Sequence, residues 1–456
     1  MKRVAVIGGG MAGLAAAYEL SRKGPAVDWH LFEQSDRLGG KIITEHVDGF
    51  TIEGGPDSFI TQKPWALELC RELELESEYI PCNSAAQKVY ILVKGRLCAM
   101  PDGFRLTVPT RIIPFLRSPL FSWSAKLRMG LEPFIPARRD DEDESVSAFI
   151  TRRLGQEAAD KIGGPLMAGI YVADPERLSL MSTFPMFRAI EKKHGSLIGA
   201  MRATSKQAKK SDIPMFMSLR EGMGQLVDTL ADRLGDRCRT GQTVERITRS
   251  EDGLALTSNG KTQTFDDVIL STPLFETGRL LAELVPSARE TLAAMRYVST
   301  ATVSLGFRLP LAGVRQPMDG FGFVIPRSEQ RRILACTWNS MKFAERAPAD
   351  HALLRVFVGG EGHENLIDLD DEALIELVRD ELREIWGLTA DPIVQRVFRW
   401  QRGNPQYDVG HAARMQHLID EVQAVPGLHV AGSGYKGIGL PDCIRSGREA
   451  AIRACE

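Results

Sequence analysis

Residues 4–7 form an unbroken apolar run, the pattern of a strand covered on both faces, and residues 12–21 behind it have helical composition. Gly24-Pro25 stops that helix, and residues 27–33 read as a second buried strand, completing a β-α-β unit. After Pro64, apolar Ala66, Leu69, Cys70 and Leu73 recur at helical spacing, and residues 89–100 predict a hairpin turning at Lys94-Gly95. Residues 105–210 are rich in Pro, Arg, Met and helix formers and predict a mostly helical insertion. The acidic run from Asp140 to Glu144 inside it reads as solvated linker. From 244 to 272 three short strands separated by Asp252-Gly253 and Asn259-Gly260 predict a β-meander. Further strands are expected at 302–307, 322–325, 333–338 and 353–358, then a helix over 370–386, a short buried strand over 428–432 and a last helix with Pro441 as its first residue.

A chain of 456 residues allows about three domains and a large core, which excludes a peptide or a disulfide-stapled mini-domain. Its 57 basic and 59 acidic side chains leave a net charge of −2, so no global field selects a nucleic acid. Seven scattered cysteines without a C-x-x-C pair indicate reduced thiols and cytoplasmic residence. No His/Cys cluster has metal-ligand spacing, so no metal is expected. Lys2, Arg3 and the apolar stretch after them imitate a secretory signal, but Gly8, Gly9, Gly10 and Gly13 fall where a strand must turn into a helix. No window is long and apolar enough to span a membrane; peripheral contact with one stays open.

Gly8-x-Gly10-x-x-Gly13 follows a strand and opens a helix, with Glu33 at the end of the next strand. Gly8 permits the tight turn, Gly10 lets backbone approach a pyrophosphate, Gly13 allows close packing, and Glu33 accepts ribose hydroxyls, so a dinucleotide is expected here. Arg37-Leu38-Gly39-Gly40-Lys41 would bring more backbone and a cation to the same pyrophosphate. This stretch resembles the amine-oxidase-like flavoprotein superfamily, whose second glycine motif is R-x-G-G-R. Lys41 replaces the last arginine, keeping the charge and losing the bidentate fork.

A narrower resemblance runs over essentially the whole chain. It is carried by the stretches from Gly54 to Phe59, Gly164 to Tyr171, Leu178 to Pro185, Pro405 to His411 and Gly437 to Ile444. In this order they resemble the protoporphyrinogen/coproporphyrinogen oxidase family. Within it the chain looks most like the soluble, mainly Gram-positive enzymes that oxidise coproporphyrinogen III, with Val89 where the protoporphyrinogen branch carries an arginine. The resemblance implies an α/β fold made of a Rossmann-like FAD-binding domain (1–81, 218–284 and 421–456), a mixed α+β substrate-binding domain (82–104, 194–217 and 285–420) and a helical domain (105–193). It implies non-covalent FAD, held by the glycine motifs with Ala12. Gly54, Gly55, Pro56 and Asp57 would lie near the isoalloxazine, Val244 would meet the adenine end, and Gly432, Ile438, Gly439, Pro441 and Ile444 would line the ribityl and pyrimidine side. Cys443 reads as a small buried hydrophobe rather than a covalent attachment point.

For the substrate, Lys63 is the first choice to bind a propionate, with an ordinary exposed lysine as the alternative; Arg96 and Lys88 come after it. Gly169 and Tyr171 would lie against the macrocycle, and Phe323, Trp338 or Phe357 would cover it, core packing being the alternative for each aromatic. His194 and His411 read as structural. No acid/base pair is identified, because hydride passes to flavin N5 and the substrate delocalises the resulting cation itself. Dioxygen would reoxidise the flavin with release of peroxide, and a transient handover of product to ferrochelatase stays open. Alternatives are a protoporphyrinogen oxidase, an amine oxidase or carotenoid desaturase on the same fold, and a non-catalytic flavoprotein carrying porphyrin intermediates.

Overall fold

The computed structural model describes residues 1–105, 107–207 and 213–456, so Leu106 and 208–210 of the expected insertion, with 211 and 212 after it, lie outside the described residues. The opening apolar run becomes the strand Lys2–Ile7, centre of a five-stranded parallel sheet ordered Cys238–Arg239, Val27–Phe32, Lys2–Ile7, Asp267–Leu270, Leu428–Val430. Helices Met11–Ser21 and Leu440–Arg453 cover one face and touch so closely that a Cβ on Gly447 would lie 2.0 Å from the Ala12 carbonyl oxygen. The other face carries the meander Val244–Ser250, Gly253–Ser258 and Lys261–Phe265.

The expected third meander strand divides at Asp266. Meander strand Gly253–Ser258 alternates buried and half-buried positions, whereas all four residues of Asp267–Leu270 are buried. A strand buried on both faces belongs inside a covered sheet, and this one, between helices on one side and the meander on the other, pairs in parallel with Lys2–Ile7.

The second sheet has seven strands, ordered Val394–Pro405, Tyr297–Arg308, His351–Gly359, Ile333–Trp338, Gly322–Val324, Val89–Val93, Arg96–Ala99. Tyr297–Arg308 is longer than the pattern implied, and Val394–Pro405 was not expected, because its arginines and glutamines mask its alternation. Helix Asp371–Trp386, capped by the Asp370 carboxylate on the Ala373 amide (2.8 Å), covers one face of this sheet, stacking Trp386 on Trp338 at 5.0 Å between centroids. Leu354, Val356 and Val358 point to that helix, so period-two alternation sends Arg355 and Phe357 to the opposite face.

The third unit is helical, as expected, and includes Trp123–Gly130, Val146–Leu154 and Pro185–His194. Helix Leu197–Gln207, assigned above to the substrate domain, packs Leu197 and Met201 into this helical core instead. Strand Phe216–Leu219, which straddles the expected boundary at 217/218, pairs with Phe59–Ile60 and Tyr79–Pro81. Helix His411–Gln423 runs across the expected boundary at 420/421 and buries Met415, Leu418 and Val422 under the parallel sheet's meander side. The acidic run is only partly solvated. Asp143 accepts from Ser179 Oγ (2.6 Å) and the Gly410 amide (2.9 Å), and Glu144 pairs with Arg152 (2.7 Å). Among the described residues no helix is long and apolar enough to cross a membrane.

Fully buried charges hold this unit together. Arg153 donates to Glu132 and to the carbonyls of Ile135 (2.8 Å) and Gly195 (2.7 Å), while Glu132 accepts from Ser196 Oγ (2.6 Å) and the Leu197 amide (2.9 Å). Removing one partner strands the other charge, so Glu132→Ala should cost about 3–5 kcal/mol in chemical denaturation. An exposed control such as Glu251→Ala should stay within about 0.5 kcal/mol of wild type.

Candidate functional site

The two glycine motifs form one cradle. Strand Lys2–Ile7 ends at Gly8, whose φ of +103° only glycine adopts readily, and a Cβ on Gly13 would lie 1.9 Å from the Gly8 carbonyl oxygen. At Gly10, which caps helix Met11–Ser21 without a side-chain acceptor, a Cβ would meet no atom within 4 Å. Space therefore opens at a helix end whose first amides need acceptors, the environment a pyrophosphate fills. The second motif docks there, Gly39 donating its amide to Gly9 (2.8 Å) and Gly40 lying against Gly10.

Glu33 accepts from the Gly9 amide (2.6 Å) and from Ser35 (2.8 Å), which braces its carboxylate beside the loop. Arg37, expected as a cation for the pyrophosphate, turns its donors to the carbonyls of Leu38, Gly40 and Ile42 and so shapes the loop. Val244 is buried, and its carbonyl already accepts from Arg279 (3.0 Å).

Beyond the cradle the chain turns toward the substrate sheet. Lys41 donates to the Gly403 carbonyl; it has accessible surface yet is crowded by protein, as in the wall of a cleft, and this desolvation lowers its pKa. A Cβ on Gly55 would overlap the Lys41 carbonyl oxygen at 1.7 Å. The Gly54 carbonyl accepts from Trp400 Nε1 (2.9 Å), Arg355 Nη2 (3.1 Å) and Thr302 Oγ1 (3.3 Å), and the Gly55 carbonyl from Arg355 Nη2 (2.6 Å). Half-buried Pro56 continues this loop into Asp57. Burial would raise the Asp57 pKa, but Lys342 at 2.8 Å and the nearby Arg355 outweigh it and hold the carboxyl at about 2. Burial instead dominates at Glu53 and pushes it up to about 7, despite bonds from Thr44 Oγ1 and the Met223 amide (both 2.7 Å).

The last helix packs on helix Met11–Ser21. It is capped by Gly439, with Pro441 second rather than first in Leu440–Arg453. Gly432, at φ +117°, donates its amide to Ser446 Oγ (3.1 Å). Ile444 is fully buried in the parallel-sheet core, and Ile438 packs on the helical unit. Cys443 is a buried free thiol raised by burial to about 12.

Among the expected substrate residues, Lys63 is paired with the buried Asp442 at 2.6 Å rather than free. Lys88 is likewise paired, with Asp319 at 2.5 Å, while Arg96 is exposed on the hairpin. Phe323 and Trp338 are corrections: both are fully buried on the helix-covered side of the sheet, where side chains facing the core cannot meet a ligand. Phe357 remains on the open face beneath the Arg355 guanidinium, 4.9 Å from its ring centroid. Gly169 and Ile170 are exposed, a Cβ on Gly169 meets nothing within 4 Å, and Val172 just after them is held at φ +51°. Tyr171 is buried against Tyr407 (5.7 Å), and its carbonyl accepts from Gln406 (3.2 Å). Its hydroxyl, like that of Tyr407, is pushed up first by burial and also by Asp442. Tyr171 thus joins the helical unit to the last helix, and Val172 meets the second sheet at Gly360.

His411 stacks on Tyr407 at 3.9 Å, hydrogen-bonds the Tyr435 carbonyl (3.2 Å) and is lowered by burial to about 4, consistent with a structural role; His194 is exposed. Sequence reasoning missed Arg355, Trp400 and Lys342. Only Arg355 left a signal, as one charge inside an apolar strand.

Residues 11–455 match the family model described as flavin containing amine oxidoreductase, and the chain belongs to that family. It is 37% identical to the coproporphyrinogen III oxidase of Bacillus subtilis (strain 168), over 99% of this chain and 98% of the relative. It is 34% identical to the coproporphyrinogen III oxidase of Staphylococcus aureus (strain NCTC 8325 / PS 47), again over 99% and 98%. A crystal structure of a protein from Exiguobacterium sp. 255-15 superimposes with a TM-score of 0.89 at 32% identity, over 100% of this chain and 98% of the other. The open Gly10 cradle fits the flavin nucleotide of such a family.

A Gly10→Val protein should fold with a loss of no more than about 1 kcal/mol from the weaker helix cap and yet bind no FAD, since its side chain enters empty space that a phosphate needs; fluorescence titration of the apoprotein reads this directly. Gly13→Ala, by contrast, should lower stability itself. The buried neutral His411 stabilises the fold fully above its unfolded pKa of 6.5, and that contribution is lost as pH falls from 6.5 toward about 4. Denaturation midpoints across this window should fall more steeply for wild type than for His411→Phe.

Proposed function

We propose that the protein is an FAD-dependent oxidase that takes coproporphyrinogen III through six electrons to coproporphyrin III in haem biosynthesis. The observation that carries this reading is the full-length similarity to two coproporphyrinogen III oxidases, with the glycine cradle and the junction around Gly169 and Tyr171 falling within it. Non-covalently bound FAD supplies a hydride acceptor, used three times and reoxidised by dioxygen with release of peroxide.

The chain's own groups suit such chemistry. Tyr171, Tyr407 and Cys443 are held protonated by burial, and Asp442 is engaged by Lys63, so none of the four is a free general base near neutrality. A porphyrinogen delocalises its own developing cation onto pyrrole nitrogen and needs placement more than proton transfer. Placement would come from Gly169, Ile170 and Tyr171 on one side and Phe357 on the other. The Gly54-Gly55 backbone is held rigid by Arg355 and Trp400. Lys63, exchanging Asp442 for a propionate, remains our candidate cation at the mouth. Cytoplasmic residence and transient handover of the product to ferrochelatase belong to the same reading.

Anaerobic mixing with coproporphyrinogen III should bleach the flavin absorbance, and admitting air should restore it and yield a fluorescent porphyrin. Bleaching by protoporphyrinogen IX alone would move the assignment to that substrate, and bleaching by an amine alone would overturn it.

A further inference from the structure

Behind the Gly54-Gly55 loop lies a set of five charged groups, three buried and two half-buried, drawn from four separate parts of the chain. Glu53 ends the strand Phe50–Glu53, and Asp57 follows the loop. Lys342 ends the short helix Asn339–Lys342, Arg346 follows it, and Arg355 lies in strand His351–Gly359. Glu53, Arg346 and Arg355 are at most 5% exposed. Lys342 is bound to Asp57; Arg346 donates to Ser218 Oγ (2.7 Å), which in turn donates to the Asp57 carbonyl (2.7 Å). Each carboxyl is within electrostatic reach of Arg346 and Arg355 or of Lys342. The other charged groups facing the set are Glu221 and Glu345, both exposed, alongside Arg346.

The set does not balance. Within the set three cations face two carboxyls, and burial keeps a proton on Glu53 until about neutrality; Glu221 and Glu345 offset Arg346 from exposed positions, so the excess of positive charge falls on Arg355, which faces only Glu53 and Asp57. The Nε atoms of Arg346 and Arg355 also lack a hydrogen-bond partner. Buried charge of this kind is costly unless an opposite charge comes to meet it.

The cradle indicates where that charge arises. A dinucleotide with its pyrophosphate at Gly10 and one ribose at Glu33 extends its other half past Gly40 and Lys41, and the Lys41 carbonyl abuts Gly55. We propose that these cations, Arg355 foremost, stabilise the negative charge that a bound isoalloxazine gains on reduction and thereby set its reduction potential. This rests on the flavin reading above, but not on the identity of the substrate. Arg355 is a positioning residue in this sense: it holds the Gly54 and Gly55 carbonyls and places its charge behind them.

The test uses the FAD-loaded wild type, Arg355→Met and Glu53→Gln, with two readouts that need no porphyrinogen. One is the midpoint potential from a dye-coupled titration. The other is the dissociation constant for sulfite, which adds to oxidised flavin and leaves negative charge on the ring. Arg355→Met should weaken sulfite binding about tenfold and lower the potential by about 30 mV, the two-electron equivalent of tenfold. Above neutrality Glu53→Gln should shift both quantities the opposite way, because it removes a negative charge. Well below neutrality it should match wild type, whose Glu53 then carries its proton.

Wild-type values in both flavin-loaded variants, or shifts of the same sign in both, overturn the proposal. Should Arg355→Met fail to hold FAD, Glu53→Gln decides alone, and no shift above neutrality overturns it. A wild type that takes up no FAD overturns this proposal and the oxidase reading together. Expected shifts in a protein that porphyrinogen does not bleach support the cluster while removing the substrate.

Discussion

The Arg355 guanidinium, buried in the second sheet and bonded to the Gly54 and Gly55 carbonyls, is the contact on which the arrangement of this protein depends. A desolvated arginine is costly unless its donors are used, and here two peptide carbonyls of a distant loop use them. That loop abuts Lys41, which extends from the glycine cradle. Arg355 therefore ties the parallel-sheet unit to the seven-stranded sheet, beside the contacts of Lys41 with Gly403 and of Lys342 with Asp57. Trp400 and Thr302 reach the same carbonyl from two further strands of that sheet, so the loop is held from three directions.

The helical unit reaches this cleft through a short segment. Its core is stiffened by Arg153, Glu132 and Glu191, charges with no exposure to solvent, while the Gly169–Tyr171 helix and Val172 at its edge carry exposed Gly169 and Ile170 and a β-branched residue at positive φ. Backbone strain of this kind persists only where the surrounding structure supports it, and here the buried charges behind the edge do so. At the same edge, Tyr171, Tyr407 and His411 form a continuous aromatic contact running toward the last helix.

Much of this was legible beforehand where the signal was local. The β-α-β unit, both glycine motifs, Glu33 and the hairpins at Lys94-Gly95 and Asn259-Gly260 all lie within short windows, where backbone sterics and turn chemistry act between neighbours. Errors came where neighbours were uninformative. Asp267–Leu270 looked like one more meander strand until its burial on both faces assigned it to the parallel sheet. Val394–Pro405 escaped notice because its arginines and glutamines mask its alternation, Arg396 and Arg399 being used by Glu45 and Asp371. Phe323 and Phe357 looked equivalent as strand aromatics; they lie on opposite faces, and no short pattern says which face a helix will cover.

By itself the sequence determined that a strand turns on glycines into a helix with space for a phosphate, because those requirements are met by residues a few positions apart. Only the tertiary structure decided that Lys63 would be drawn to Asp442, that Arg37 would close its own loop, and that Arg346, Arg355 and Lys342 would converge on Glu53 and Asp57. Outside the Arg37 loop those partners are separated by hundreds of residues, and their charges acquire meaning only after folding has removed the water between them.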